Sequence, residues 1–337
     1  MARGIGWRRL GSKKHFRYVD ADGRQITDEE KLERIRALVI PPAWKDVWIS
    51  ASARAKLQAT GVDAAGRKQY LYHPDFRARQ EEAKFNRLIR FAERLPDLRA
   101  AMAEHMELDG LPEEKVAAIA VRLINLGWFR VGADRHTKVS RTFGITTLRK
   151  SHVSVRGSRI SFRYRGKHSI MIRSAIVDAE LAAAMKDLLA LPGARLFKFE
   201  AEGERCNLDC RRLNSYIHEH MGEEFSAKDF RTWGGTLVAA IELAERELPE
   251  SEREAKRVLA ATMRKVGEKL GNTPAVARSS YVSPAVVEQY LDGRTIDDFR
   301  PRHLRVVSAR STCLDPEEAA TLSLLRSWRI RAARAAA

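Results

Sequence analysis

Two spacings of apolar residues divide this chain. Its N-terminal part is mostly alternation and turn signals. FRYVDADGRQIT reads as a hairpin with Asp-Gly at the turn, and VWISASARAKLQATGVDAAGRKQYLYH carries further strand and turn signals; helical spacing stands out mainly at DEEKLERIRALV. From EEAKFNRLIRFAERLPDLRAAMAEHM onward the 3.6-residue period dominates. It is clearest in LPEEKVAAIAVRLINLGWF, DAELAAAMKDLLAL, LVAAIELAEREL, ESEREAKRVLAATMRKVGEKLG and SPAVVEQYL. Gly271 after Leu270 reads as a helix stop, and Ser283 before Pro284 as an N-cap and first helical residue.

One stretch of the helical part breaks the pattern. TTLRKSHVSVRGSRISFRYRGKHSIMIR alternates apolar and polar positions around Gly157 and Gly166, which predicts a short antiparallel sheet. The expected fold is α+β: a small mixed domain at residues 1–84 and a larger, mainly α-helical domain at 85–337 that contains the short sheet. The polar segment FRARQEEAKFNR is the candidate joint.

Composition adds a partner to this picture. The 337 residues hold 61 Lys and Arg against 44 Asp and Glu, a formal charge of +17, and 44% hydrophobic residues suffice for a core in each domain. Such an excess in a globular chain points to a polyanion, nucleic acid before anionic membrane. Residues 1–90 carry +9 of it, and from Arg135 to Val177 there are 11 Lys and Arg with no carboxylate. A solvated face rarely dispenses with acid over so long a run, so this stretch is expected to face DNA or RNA. No apolar run is long enough to span a membrane, and MARGIGWRRLGSKKHFRY lacks the apolar core of a signal peptide; the expected location is cytoplasmic and associated with the nucleoid.

Cys206, Cys210 and Cys313 are too few for a disulfide framework. Cys206, Cys210, His218 and His220 look like a metal-ligand set. If CNLDCRRLNSYIHEH is one helix, however, its ends lie about 21 Å apart, beyond the reach of one zinc ion. No metal site is expected.

Four segments carry chemistry: WFRVGADR with Arg130, YRGKHSI with Lys167, AKDFRTWGGTL with Arg231, and LGNTPAVARSSY with Asn272 and Tyr281. Each has an ordinary explanation by itself: arginines near helix ends cap carbonyls, Gly-Lys makes a hairpin turn, and a lone tyrosine packs half-buried. In this order and at these spacings they resemble the catalytic domain of the type IB DNA topoisomerases, most closely the small poxvirus and bacterial ones. Those enzymes share the fold of the tyrosine recombinases. IPPAWKDVWIS and GRKQYLYH extend the likeness to their DNA-clamping N-terminal domain.

The resemblance implies that Tyr281 attacks a DNA phosphodiester, leaving a 3′-phosphotyrosyl bond and a free 5′-hydroxyl, so that supercoils relax without ATP, metal or other cofactor. It assigns Arg130 and Arg231 to the non-bridging oxygens and Lys167 to the leaving oxygen. It also implies a monomer clamping duplex DNA, with contacts from Arg67, Lys68, Gln69, Tyr70, Tyr72, Gly132, Arg141, Thr147 and Lys228, and with Gln69 placed to read adenine. The chain departs from the family in two places. Asn272 stands at the usual His and keeps a hydrogen-bond donor without a titrating charge, and His168 stands where an acidic residue often follows the lysine. A tyrosine recombinase is the nearest rival, but its usual His three residues before the second Arg is Lys228 here. A non-catalytic DNA-packaging protein fits the composition and leaves the four segments unexplained.

Overall fold

A computed structural model describes residues 5–12, 15–300 and 313–335. The chain falls into two compact units, Met1–Asn86 and Arg87–Ala337.

In the first unit, alternating residues build a five-stranded antiparallel sheet in the order β2-β1-β3-β4-β5. Its strands are β1 (Gly6–Ser12), β2 (His15–Val19), β3 (Lys45–Ser50), β4 (Leu57–Val62) and β5 (Lys68–Tyr72). Helix α1 (Glu29–Ala37) starts where Asp28 accepts a bond from the amide of Lys31. Trp7, Ile26, Ile35, Val47, Ile49 and Ala59 form the core beneath the sheet. The Asp-Gly turn after β2 is present, and the hairpin predicted around it is reduced to one antiparallel bridge, Val19 to Gln25, flanked by Asp20 N donating to Arg24 O and Ile26 N donating to Tyr18 O. Past the turn Ile26 dives into the core, and β2 pairs along its length with β1.

The unit boundary falls inside α2 (Pro74–Met106), so the polar FRARQEEAKFNR segment is continuous helix. The second unit continues with α3 (Glu113–Gly127) and α4 (Asp134–Ser140). The acid-free stretch then forms the predicted antiparallel sheet, β6 (Val153–Arg156), β7 (Arg159–Arg165) and β8 (Met171–Val177), in that order. Ile160, Phe162 and Tyr164 of β7 are buried on one face. On the other, Arg163 lies directly opposite Arg173. Among the described residues, neither is paired with a carboxylate. Like charges in register disfavour a sheet, so this arrangement suits a surface that meets an anion.

Helix α5 (Ala179–Ala190), the hairpin β9 (Lys198–Ala201) and β10 (Glu204–Asn207), and helices α6 (Cys210–Met221), α7 (Ala227–Ala244), α8 (Glu252–Leu270), α9 (Pro274–Ser280), α10 (Pro284–Leu291) and α11 (Pro316–Ala335) complete the unit. Helix α7 is buried on nearly every side and contacts α3, α8, α10 and α11. One local expectation is corrected. CNLDCRRLNSYIHEH is a strand followed by a helix, because Asp209 accepts from the Arg212 amide and caps α6, leaving Cys206 on β10. Ser283 is the N-cap of α10 and Pro284 its first residue, as expected; the Ser283 side chain makes no capping bond, and its amide donates to Thr236 Oγ1. Among the described residues, no three His, Cys, Asp or Glu side chains are grouped to hold a metal ion, and no helix is long and apolar enough to cross a membrane.

Candidate active site

The site grows from two helix C-termini, each of which leaves carbonyls without intrahelical partners. Helix α3 ends at Trp128, whose left-handed backbone (φ 50°) turns the chain sharply so that Phe129 packs on Phe162 and Arg130 follows. Helix α8 ends at Gly271 (φ 60°), a conformation glycine adopts without cost. Arg231, rising from the first turns of α7, donates to Trp128 O at 2.5 Å and to Leu270 O at 2.7 Å, binding both ends together. Arg130 donates to Gly271 O at 3.3 Å and to Asn272 Oδ1 at 2.5 Å.

These arginines cap carbonyls, as arginines near helix ends commonly do, but the carbonyls are dipoles and leave both charges uncancelled. Arg231 is only 5% exposed, and among the described residues its Nε has no hydrogen-bond partner. Burial pushes the Arg130 guanidinium below its usual value and the neighbouring Arg231 charge pushes it further, with Tyr281 and Tyr164 opposing. A buried and a half-buried cation side by side, with no carboxylate bonded to either among the described residues, form a standing demand for an anion.

Tyr281 caps the C-terminus of α9, half-buried, with its ring centroid 5.0 Å from the Arg231 guanidinium carbon. Burial pushes its phenol up. That push is outweighed by the charge of Arg231 and its contact with the phenol, then by the charges of Arg130 and Lys167, so the phenol sits below its ordinary value. Lys167 is exposed at the β7–β8 connection, where Gly166 N donates to Ile170 O at 2.8 Å. His168 and Ser169 both have φ 60°, a left-handed conformation that costs non-glycine residues energy and clusters at functional sites. The structure thus brings Arg130, Lys167, Arg231 and Tyr281 into one electrostatic cluster, with Asn272 bonded to Arg130.

Asn272 is oriented by its partner. Because Arg130 can only donate, the side-chain oxygen must face it, and the amide nitrogen retains only a long 3.5 Å contact to Leu270 O. The amide N–H groups therefore stay available to an incoming oxygen.

Several residues of the site carry no motif signal. In α7, Gly234 and Gly235 make room for two neighbours: a Cβ on Gly234 would lie 2.4 Å from the Trp128 ring, and one on Gly235 would lie 2.8 Å from both Cβ and O of Tyr281. Thr236 Oγ1 then donates to Tyr281 O at 3.1 Å and accepts from Ser283 N at 3.1 Å. Tyr164, buried on the inner face of β7, feels both arginines, and burial holds its phenol well above the ordinary range. The period-2 pattern of β7 pointed it inward; nothing local marked the other three. The glycine pair leads to a prediction. Gly235→Ala gains about 1 kcal/mol of helix propensity but displaces the Tyr281 backbone, and a shift near 1 Å costs on the order of 10²-fold in rate. Single-turnover cleavage should slow by about that factor with DNA affinity nearly unchanged; a parent-like rate would dissociate Gly235 from the positioning of Tyr281.

The candidate DNA contacts occupy varied settings. Lys68, Tyr70 and Tyr72 form an exposed row on β5, the tyrosine rings stacked at 6.2 Å; Arg67 and Gln69 both bond Asp63. Lys228 is exposed on the first turn of α7, and Arg141 is exposed at the end of α4 with φ 50°. Gly132 (φ 93°) packs so closely on Gly144 and Thr147 that a Cβ would lie 2.6 Å from the threonine hydroxyl. Thr147 is 4% exposed, and its hydroxyl exchanges bonds with the backbone of Gly144, so both residues shape the loop after Arg130.

Comparison with known proteins accords with this geometry. Residues 73–298 match the family described as eukaryotic DNA topoisomerase I, catalytic core, and residues 15–63 match the bacterial DNA topoisomerase IB N-terminal domain. The chain is 31% identical over 298 residues to DNA topoisomerase 1B of Acanthamoeba polyphaga mimivirus, covering 86% of this chain and 88% of the relative. It is 22% identical over 303 residues to DNA topoisomerase 1B of vaccinia virus (strain Copenhagen), covering 82% and 90%. It is also similar to DNA topoisomerase I of monkeypox virus, 21% identical over 299 residues. With a family match across most of its length and a relative of this identity along nearly all of it, the chain belongs to the type IB DNA topoisomerases.

Proposed function

We propose that this topoisomerase relaxes supercoiled duplex DNA by transient cleavage of one strand through Tyr281. The observation that carries this reading is the Tyr281 ring lying 5.0 Å from the Arg231 guanidinium carbon, itself anchored by two carbonyls, so that Arg231, Arg130 and Lys167 hold the phenol below its ordinary value. Free tyrosine titrates near pH 10, so a nucleophilic tyrosine needs such a field. The phenol releases its proton to solvent under the field of these cations, and its oxygen attacks phosphorus at the scissile phosphodiester. The bond from phosphorus to the 5′-oxygen breaks, and the 3′ end remains as a phosphotyrosyl ester.

Charge gathers on the two non-bridging oxygens in the transition state. Arg130 and Arg231 donate to them from preorganised positions, and the amide of Asn272 adds a neutral donor. Lys167 protonates the departing 5′-oxygen. The free 5′ end swivels and then attacks the phosphotyrosyl bond in the reverse reaction. The energy of the broken bond stays in the covalent link, so the proposed cycle calls on no ATP, and its charge stabilisation comes from protein cations. The enzyme acts as a monomer, gripping duplex DNA through the basic first unit with Lys68, Tyr70 and Tyr72, and through Lys228 and Arg141 of the second.

The test is relaxation of a supercoiled plasmid by the full chain in EDTA without nucleotide. The expected result is complete relaxation at a rate linear in protein concentration, with protein trapped on DNA by denaturant. Relaxation that required nucleotide or a metal ion would overturn this reading. A steep concentration dependence with recombined products would favour the recombinase reading, since those enzymes assemble four protomers on two duplexes.

A further inference from the structure

Lys68, Tyr70 and Tyr72 line one face of β5, while Arg67 and Gln69 lie on its other side, tied to a carboxylate that the proposed reaction does not use. Asp63 opens the β4–β5 hairpin turn, which closes with Asp63 N donating to Arg67 O and Gly66 N donating to Asp63 O. Its Oδ1 accepts from the amides of Ala65 and Arg67, both at 2.9 Å. Its Oδ2 accepts from Arg67 Nε at 2.8 Å, Arg67 Nη2 at 2.7 Å and Gln69 Nε2 at 2.8 Å. One oxygen therefore builds the turn and the other aligns two side chains. The Asp63 side chain is 14% exposed, whereas that of Arg67 is 66% exposed.

What the carboxylate leaves free matters. Gln69 uses one Nε2–H on Asp63 and keeps the second N–H together with its Oε1 acceptor, the donor and acceptor pair that matches N7 and N6 of adenine. Arg67 keeps the N–H groups of Nη1 and one on Nη2 for a guanine edge or a phosphate. In free side chains, glutamine and arginine carry among the largest rotamer entropies, which binding must otherwise remove. Both lie at the start of β5, which among the described residues is the edge strand of the sheet.

We infer that Asp63 is a specificity-positioning residue, which presets Arg67 and Gln69 as a rigid fork for reading a base pair in duplex DNA. The inference rests on the reading of this chain as a DNA-gripping topoisomerase. The hydrogen bond from the Arg67 side chain, foremost, holds the Asp63 carboxyl down to about 2, so the fork keeps its charge pattern through the physiological range. Asp63 itself touches no DNA. It acts by holding the atoms that do.

The experiment is competition binding of the full chain to a set of duplexes differing at single base pairs, in parallel with mapping of denaturant-trapped cleavage sites. The parent should prefer one base pair by roughly 5- to 100-fold, the range of a single bidentate contact. Asp63→Ala should flatten this preference while binding its least-favoured duplex within about twofold of the parent and leaving plasmid relaxation intact. Asp63→Asn, which keeps the turn-closing oxygen, should fold and bind like the parent but lose part of the preference. Gln69→Ala should flatten the same base pair, and the double variant Asp63→Ala with Gln69→Ala should be no flatter than either alone. A purely structural role for Asp63 predicts additive losses and reduced affinity for every duplex alike. Additive losses, an Asp63→Ala variant with the parent's preference, or a parent with no preference at all would each overturn the inference. A parent that discriminates among duplexes but yields no trapped adduct would refute the proposed cleavage reaction and leave the role of Asp63 standing.

Discussion

Tyr281→Phe should bind duplex DNA about as tightly as the parent and form no denaturant-resistant adduct on any duplex. The ring remains packed against the cluster of Val238, Ala239, Met263, Val266, Leu270, Ala277 and Val282, and it stays under the Arg231 guanidinium. Only the attacking oxygen is removed, so the loss falls on covalent chemistry alone, and relaxation should drop to the background of the assay. The neighbouring tyrosines sharpen the test. Tyr290 is 1% exposed, and its hydroxyl donates to Glu247 O at 2.6 Å. Burial, foremost, raises its phenol. Tyr164 is likewise buried and raised, facing the arginines without their field prevailing. Among these three phenols, the one at position 281 alone is shifted toward ionisation. Peptide mapping of the parent adduct should therefore identify Tyr281; an adduct at Tyr290, or one formed by the Phe variant, would refute the assignment.

The candidate site was legible through the resemblance of four short segments to a known family, which supplies the functional groups and their order. What holds those groups was not. Arg231 meets carbonyls at Trp128 and Leu270, far from it in sequence, and no local pattern announces a backbone acceptor. The Gly235 and Thr236 seat for Tyr281 joins segments about 45 residues apart through backbone contact, which leaves no periodicity. In the fold, long amphipathic helices and the period-2 strands of the acid-free stretch could be read, whereas α4 and α9, of seven residues each, are too short to show two turns of spacing. The 20-residue α11 escaped for a different reason. Its inner face rests partly on charge: Glu318, 5% exposed, accepts from Arg99 at 2.7 and 2.8 Å and from Trp233 Nε1 at 3.3 Å. An apolar period cannot report a face that is partly an ion pair.

Lys167→Ala should slow cleavage of an ordinary duplex by roughly 10²- to 10⁴-fold, the range for losing a positioned general acid. Of the three cations acting on Tyr281, it alone is exposed and carried on a turn. Arg231 is buried and fixed by two carbonyls, and Arg130 by a carbonyl and an amide oxygen. The anchored pair suits the stationary non-bridging oxygens. A flexible ammonium with three donors suits an oxygen that must depart and later return. The left-handed His168 and Ser169 beside it each cost on the order of 1–3 kcal/mol, an expense with no packing return at exposed positions. The decisive substrate replaces the 5′-bridging oxygen by sulfur, which leaves without needing a proton. On it, Lys167→Ala should approach the parent rate under single-turnover conditions. Arg130→Ala should slow both substrates alike, because charge on the non-bridging oxygens develops whichever atom leaves. If Lys167→Ala slowed both substrates equally, its role would be electrostatic support of the phosphate, and the proton for the 5′-oxygen would have to come from another group.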